Sequence, residues 1–282
     1  MSDIKCAVTL FSLTHPFLHR RLDLEGCLEL VASCGYEGIE LVSEQMVKGY
    51  PYPDDAWCAD FRKMMDRYGL EGYAYGCYVD TVRYYGRTRT ADENFYCALQ
   101  DLKIAHRLGF KAVKTSSDLQ DEAVIRLIPL AKELGIWLGF ELHDPERFND
   151  ERWKRLFSIF DTYGPDVVGV VPDMGMFAAK PNKLTIAAEK RGGRVPQFNP
   201  YPWTDLEYCI PYSRYMHGKC LYINEQLEDE SIDYVKVIDV LTKGGYKGAL
   251  ACEYEGFFSE ADEDSIEQVR RYAEMFRKLM QK

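Results

Sequence analysis

No stretch of the 282-residue sequence approaches the roughly 18 consecutive apolar residues of a membrane span. Nor does any pair of cysteines form a CxxC. The nine present (Cys6, Cys27, Cys34, Cys58, Cys77, Cys97, Cys209, Cys220 and Cys252) are scattered and odd in number. Most sit in apolar runs, where cysteine behaves as a small hydrophobe. A disulfide framework and a cysteine-built zinc site are both excluded, and a reduced, cytoplasmic enzyme is expected. The opening residues, Met1-Ser2-Asp3-Ile4-Lys5, lack the zones of a signal peptide and run straight into a strand-like stretch. Basic runs are short, as at Lys154-Arg155 and Lys190-Arg191, and 45 acids outnumber 35 lysines and arginines for a net charge of −10. Such a chain repels phosphate backbones, so neither nucleic acid nor an anionic membrane surface is an expected partner. Hydrophobic residues make up 46% and glycine and proline are ordinary at 21 and 12, which excludes disordered and collagen-like architectures.

What the sequence does have is a rhythm. Strand-like runs begin at Ile4–Phe11 and recur at 38–42, 73–78, 112–115, 136–141, 167–171, 215–223 and 249–253. Amphipathic segments follow them at 23–35, 54–68, 90–108, 121–134, 151–160, 232–241 and 260–280, the sixth run being followed by a long interruption. Divided by eight, the chain gives about 35 residues per module, comfortable for one strand–loop–helix–loop unit. The spacing predicts an α/β fold, a (β/α)8 TIM barrel formed as a single domain over 1–282. The interruption at about 174–203 is rich in proline and glycine, and it is read as a long loop after strand six, lid-like or partner-docking.

The candidate chemistry stands at strand ends. Glu141, Asp173, His217 and Glu253 close strands five to eight, at intervals of 32, 44 and 36 residues. Strand ends one module apart are neighbours around a barrel, so the four side chains converge above its axis. Three carboxylates and one imidazole form a donor set suited to Mn²⁺, with Mg²⁺, Co²⁺ and Zn²⁺ as alternatives. Taken singly, an acidic residue at a strand end also serves as a helix cap, and a lone histidine as a core residue; the joint occurrence is what points to a metal. Residues two apart in a strand share a face. His143 therefore follows Glu141, Lys219 follows His217, and Glu255 follows Glu253. His143 is the first candidate for general acid and base, with Glu141 and Glu253 as catalytic alternatives beside the metal. Lys219 and Glu255 are candidate substrate-binding residues, and simple ion pairing or capping is the competing reading of both. Trp137, Tyr254 and Phe257 are candidates to line the cup.

These residues carry a resemblance. The chain is similar to the sugar isomerase/epimerase superfamily with the xylose isomerase-like barrel. The resemblance rests on Gly35-Tyr36-Glu37-Gly38-Ile39-Glu40-Leu41, Glu141-Leu142-His143, Asp173-Met174-Gly175, His217-Gly218-Lys219 and Glu253-Tyr254-Glu255. It implies Mn²⁺ held by Glu141, Asp173, His217 and Glu253, and proton transfer beside the carbonyl of a keto-sugar or keto-cyclitol through an enolate or enediolate. The chain departs from ketose 3-epimerases at three places. Met176 stands where many members of the superfamily have histidine, Arg147 where the epimerases have a substrate-binding glutamate, and Ile223 where they have arginine. A narrower resemblance runs through Pro172-Asp173-Met174-Gly175-Met176-Phe177, Glu141-x-His143 and the proline-rich segment, to the α subunits of C-glycoside deglycosidases. That resemblance implies a carbon–carbon lyase acting on 3-keto-C-glycosides, with a metal, a histidine base and a small β-rich partner subunit in an oligomeric assembly. A three-zinc apurinic endonuclease, also of this superfamily, would need more histidines than the five present. A non-catalytic carbohydrate-binding barrel would not need the metal.

Overall fold

A computed structural model describes residues 3–78, 86–115, 119–192, 198–256 and 265–281. Its eight strands are all parallel and run in order around a sheet: β1 (Lys5–Thr9), β2 (Gly38–Val42), β3 (Glu71–Cys77), β4 (Ala112–Thr115), β5 (Trp137–Leu142), β6 (Val168–Pro172), β7 (Tyr215–Cys220) and β8 (Ala249–Tyr254). Sequence neighbours pair from β1 to β6 and from β7 to β8, and β1 pairs with β8. Between β6 and β7 the ladder shrinks to one bridge, Asp173 with His217. The result is a nearly closed (β/α)8 barrel.

Helices cover the outside, and their boundaries follow local chemistry. Asp23, Asp54 and Thr90 cap the N-termini of Leu24–Ser33, Asp55–Tyr68 and Ala91–Leu108, each accepting a backbone N–H from the first turn. Glu93 reciprocates toward the Thr90 N–H to complete a capping box. The remaining outer helices include Asp121–Glu133, Glu151–Tyr163, Tyr234–Lys243 and Ser265–Met280. Residues 260–264 of the expected last helix lie outside the described residues.

Strand alternation divides the interior into two layers. Odd-numbered residues of β5–β8 point inward, and small side chains such as Ala7, Ala74, Ala112, Ala249 and Ala251 pack there with Trp137, Val171 and Tyr215. Their alternates, including Val8, Ile39, Leu138, Phe140, Val170, Met216 and Cys252, join the larger core between barrel and helices. Eight of the nine cysteines are buried and none of the nine forms a disulfide, in keeping with their apolar surroundings.

The segment after β6 is more regular than its composition predicts. It holds a 3-10 turn (Met174–Phe177), a helix (Lys183–Lys190), a second helix (Trp203–Cys209) and another 3-10 turn (Ile210–Tyr212). Asn182 caps the first helix by accepting the Leu184 and Thr185 N–H groups at 2.9 and 3.0 Å. The rings of Phe177 and Trp203 stack 4.7 Å apart. Tyr201 reaches back to donate a hydrogen bond to the Glu146 carbonyl, and Arg147 lies 3.5 Å over its ring. The segment is thereby fastened to the turn that follows β5. Among the described residues no helix is long and apolar enough to cross a membrane.

Candidate functional site

Inward-facing positions at the C-terminal ends of β5–β8 bring Glu141, Asp173, His217 and Glu253 together. One ligand atom from each lies within 4.8 Å of all the others, and all four residues are buried. This is the set expected from the 32, 44 and 36-residue intervals. His217 is fully buried, with Nδ1 at 2.9 Å from Glu141 Oε1 and 3.1 Å from Glu253 Oε2. Asp173 caps the turn after β6, where its Oδ1 accepts the Gly175 N–H at 2.6 Å. Its Oδ2 faces the cup and lies 2.9 Å from the Lys219 ammonium. Glycine at 218 is required on the outward side of β7, since a Cβ there would stand 1.9 Å from the Tyr272 hydroxyl oxygen.

Lys219 bridges the acids. Its Nζ is 2.6 Å from Glu253, 2.7 Å from Glu255 and 2.9 Å from Asp173. Glu255 is the more open of these acids, its side chain 29% exposed. His143 emerges immediately beyond β5 on the exposed side of the mouth, and its Nδ1 lies 2.7 Å from the Asp144 carbonyl oxygen. The sequence-derived candidates thus gather at one end of the barrel.

Two charged residues in contact with them were not among the expected site residues. Glu40, on β2, is completely buried, and its Oε2 is 2.9 Å from His217 Nε2. Lys114, on β4, is 1% exposed, donates to Glu141 Oε2 at 3.0 Å and approaches Glu40 Oε1 at 3.8 Å. Thr9 on β1 donates to that same Glu40 oxygen at 3.2 Å, and the Tyr78 ring lies 4.8 Å from the Lys114 ammonium. The available signal was a single charge inside each of two short apolar strands, Gly-Ile-Glu-Leu-Val and Ala-Val-Lys-Thr.

The aromatic expectations change. Tyr254 alternates away from Glu253 into the outer core, and Trp137 packs in the interior with Ala112 and Ala249, its indole N–H donating to the Pro165 carbonyl at 3.1 Å. Neither residue lines the mouth. Phe257 lies outside the described residues.

Electrostatics in the cup follow from burial set against close charge. Burial pushes the Glu141 and Glu253 carboxyls up, but the nearby cations win: Lys114 and His217 leave Glu141 well below the usual range, and His217 and Lys219 do the same for Glu253. For Asp173 burial prevails over Lys219, and the carboxyl is pushed up to about 6. Desolvation opposes the charge on His217, but Glu253, Glu141 and Glu40 outweigh it and raise the imidazole well above its ordinary value. His143 is raised more modestly; its desolvation is overcome by Glu141, the Asp144 carbonyl and Asp173. Three carboxylates and an imidazole gathered in a buried cluster match the oxygen-rich donor set of a divalent cation, and the inward-turned Asp173 Oδ2, buried without a well-aligned hydrogen bond, completes the fit.

Fold and site together define an α/β barrel carrying a mixed carboxylate–imidazole cluster on its last four strands. The chain belongs to the xylose isomerase-like TIM barrel family, whose model matches residues 28–279. Among curated proteins it is 28% identical to a C-glycoside deglycosidase alpha subunit of Arthrobacter globiformis, over 99% of this chain and 93% of that one. It is 25% identical to a 3'-dehydrocarminate deglycosidase alpha subunit of a Microbacterium species, over 98% and 95%. Among solved structures, a xylose isomerase-like TIM barrel protein from Mycobacterium smegmatis in complex with magnesium superposes with a TM-score of 0.64 at 16% identity, covering 100% of this chain and 99% of that chain. D-psicose 3-epimerase from Clostridium cellulolyticum gives 0.65 at 11%, with 99% of each chain covered. These two likenesses concern the fold.

Proposed function

We propose that this protein is the catalytic α subunit of a C-glycoside deglycosidase, cleaving the carbon–carbon bond of a 3-keto-C-glycoside with a divalent metal, Mn²⁺ first among candidates. The observation that carries the reading is the convergence of Glu141, Asp173, His217 and Glu253 within 4.8 Å, on a chain aligned almost end to end with deglycosidase alpha subunits. Arg147, Met176 and Ile223, which replace residues typical of ketose epimerases or their superfamily, favour it over simple epimerisation.

The four residues would hold the metal, which when bound supplies Lewis-acid stabilisation of negative charge on a substrate oxygen. His143, at the mouth, takes the proton from the sugar carbon between the keto group and the glycosidic carbon. The resulting enolate is stabilised in part by the Lys219 ammonium, and Glu255 holds a sugar hydroxyl. As the carbonyl re-forms, a double bond forms between the deprotonated carbon and the glycosidic carbon, and the bond to the aglycone breaks with its electron pair leaving on the aglycone carbon. That carbon takes up a proton, so one proton is removed, one is delivered and no redox change occurs. Glu141 or Glu253 is the alternative base.

A small β-rich partner subunit belongs to this reading, since the relatives are named alpha subunits. The test is co-expression with such a partner, loading with Mn²⁺ and assay of a 3-keto-C-glycoside for free aglycone. Aglycone release that is lost on chelation is expected. Interconversion of keto-sugars with no aglycone released would overturn the lyase reading in favour of an isomerase or epimerase.

A further inference from the structure

Glu40 and Lys114 adjoin the candidate metal cluster from β2 and β4. Glu40 is 0% exposed and Lys114 is 1% exposed, and charged residues this deeply buried are costly unless each has a partner. Both have partners, and the partners are the candidate metal ligands themselves. His217 is held from two sides: Nε2 faces Glu40 Oε2 at 2.9 Å, while Nδ1 faces Glu141 and Glu253 at 2.9 and 3.1 Å. With His217 neutral and a cation held by the three cluster carboxylates, the carboxylate at Nε2 would retain the proton on that nitrogen and leave the Nδ1 lone pair directed into the cluster. Lys114 fixes the other ligand, donating to Glu141 Oε2 at 3.0 Å and leaving Oε1 turned toward His217. The charges also group by strand. Glu141, Asp173, Glu253 and the more open Glu255 carry four negative charges, of which Lys219 and a divalent cation offset three when His217 is neutral, whereas Glu40 and Lys114 offset each other.

We propose that Glu40 and Lys114 are positioning residues of the metal centre: Glu40 sets the tautomer of His217 so that Nδ1 is the ligating atom, and Lys114 orients Glu141 while neutralising Glu40. The proposal rests on the metal-centre reading above. Carboxylates that receive the second N–H of a metal-bound histidine typically change metal affinity by about 10–100-fold when removed. The pair acts from β2 and β4, so the site draws on strands well beyond the four that supply its ligands.

Mn²⁺ binding is measured by titration on purified wild type, Glu40→Gln and the double variant Glu40→Gln/Lys114→Met, the last leaving no unpaired buried charge. In parallel, ¹⁵N-histidine NMR of the Zn²⁺-loaded proteins reads the His217 ring N–H. A weakening of about 10–100-fold in both variants is expected. In wild type the His217 signal should be a downfield, exchange-protected Nε2–H with Nδ1 metal-shifted, and in both variants that proton should move upfield and exchange faster. Wild-type affinity retained within about threefold in the folded variants, or a proton found on Nδ1, would overturn the proposal while leaving the metal centre intact. A wild type that takes up no Mn²⁺ would instead overturn the metal-centre reading, and this proposal with it.

Discussion

His143 separates two jobs that a metal site can confuse. Its imidazole stands at the exposed mouth, beyond the last residue of β5, whereas the four clustered donors are buried below it. His143→Ala should therefore lower turnover by about 10²–10⁴-fold, the usual weight of a general acid or base. Its Mn²⁺ stoichiometry and affinity should match wild type. Retention of more than about a tenth of the activity would move the proton transfer to Glu141 or Glu253. The same contrast between buried and exposed explains what could be read at the level of single residues. Glu141, Asp173, His217 and Glu253 were legible because each recurs one module after the last, and spacing in a barrel is position. Glu40 and Lys114 have no such recurrence. Their strands are buried at every residue, with no polar face to fix the phase. Which side a lone charge points to then depends on the closed barrel rather than on the local pattern.

Among the helices, Ala91–Leu108 carries the most unusual polar residue. Asp101 is fully buried and accepts the Tyr75 hydroxyl at 3.1 Å and the Tyr50 hydroxyl at 3.3 Å, fastening β3 and the loop after β2 to this helix. Burial pushes its carboxyl up to about 7 from an ordinary 3.8, against the pull of its hydrogen-bond donors. Because the folded value lies above the unfolded one, Asp101 contributes most below about pH 4, and that contribution is lost as pH rises through 7. Each unit of the difference is worth about 1.4 kcal/mol. Asp101→Asn should remove this dependence: in urea titrations from pH 5 to pH 8, wild type should lose more stability relative to the variant with each step upward. Parallel curves would show that Asp101 does not titrate in that window. The segment after β6 shows the limits of reading elements from composition. Its prolines and glycines announce a long loop, yet Asn182 starts a helix within it, a cap whose meaning depends on the backbone already being turned there.

Across the whole molecule, the cluster draws on both sides of the weak joint between β6 and β7. Glu141 and Asp173 come from the β5–β6 side and His217 and Glu253 from the β7–β8 side, with the lone bridge between Asp173 and His217 joining them. A cation bound by all four would favour the closed barrel by mass action, by about 2.7 kcal/mol at a concentration 100 times its Kd. For a chain of this size that corresponds to a rise in Tm of roughly 5–10 °C, reversed by EDTA. Melting curves that coincide with and without Mn²⁺ would deny the cluster that role. The eightfold rhythm and the order of the strands were legible from periodicity alone, but the joint was not. It lies where the segment after β6 returns to β7, and only the pairing of strands in the folded sheet reveals it.

That joint has a further consequence, for solubility. A strand edge with unused backbone groups is a template on which a strand from another molecule can grow. Here the chain blocks its own template. Beside β6, the Ser213 hydroxyl donates to the Val170 carbonyl at 2.9 Å, and the Tyr212 carbonyl presses so close to Gly169 that a Cβ there would come within 1.9 Å of it. The bare α-carbon of Gly169 lets the turn before β7 act as a stopper. Gly169→Ala should dislodge it and leave a protein that accretes with concentration, visible in light scattering before any loss of helix signal.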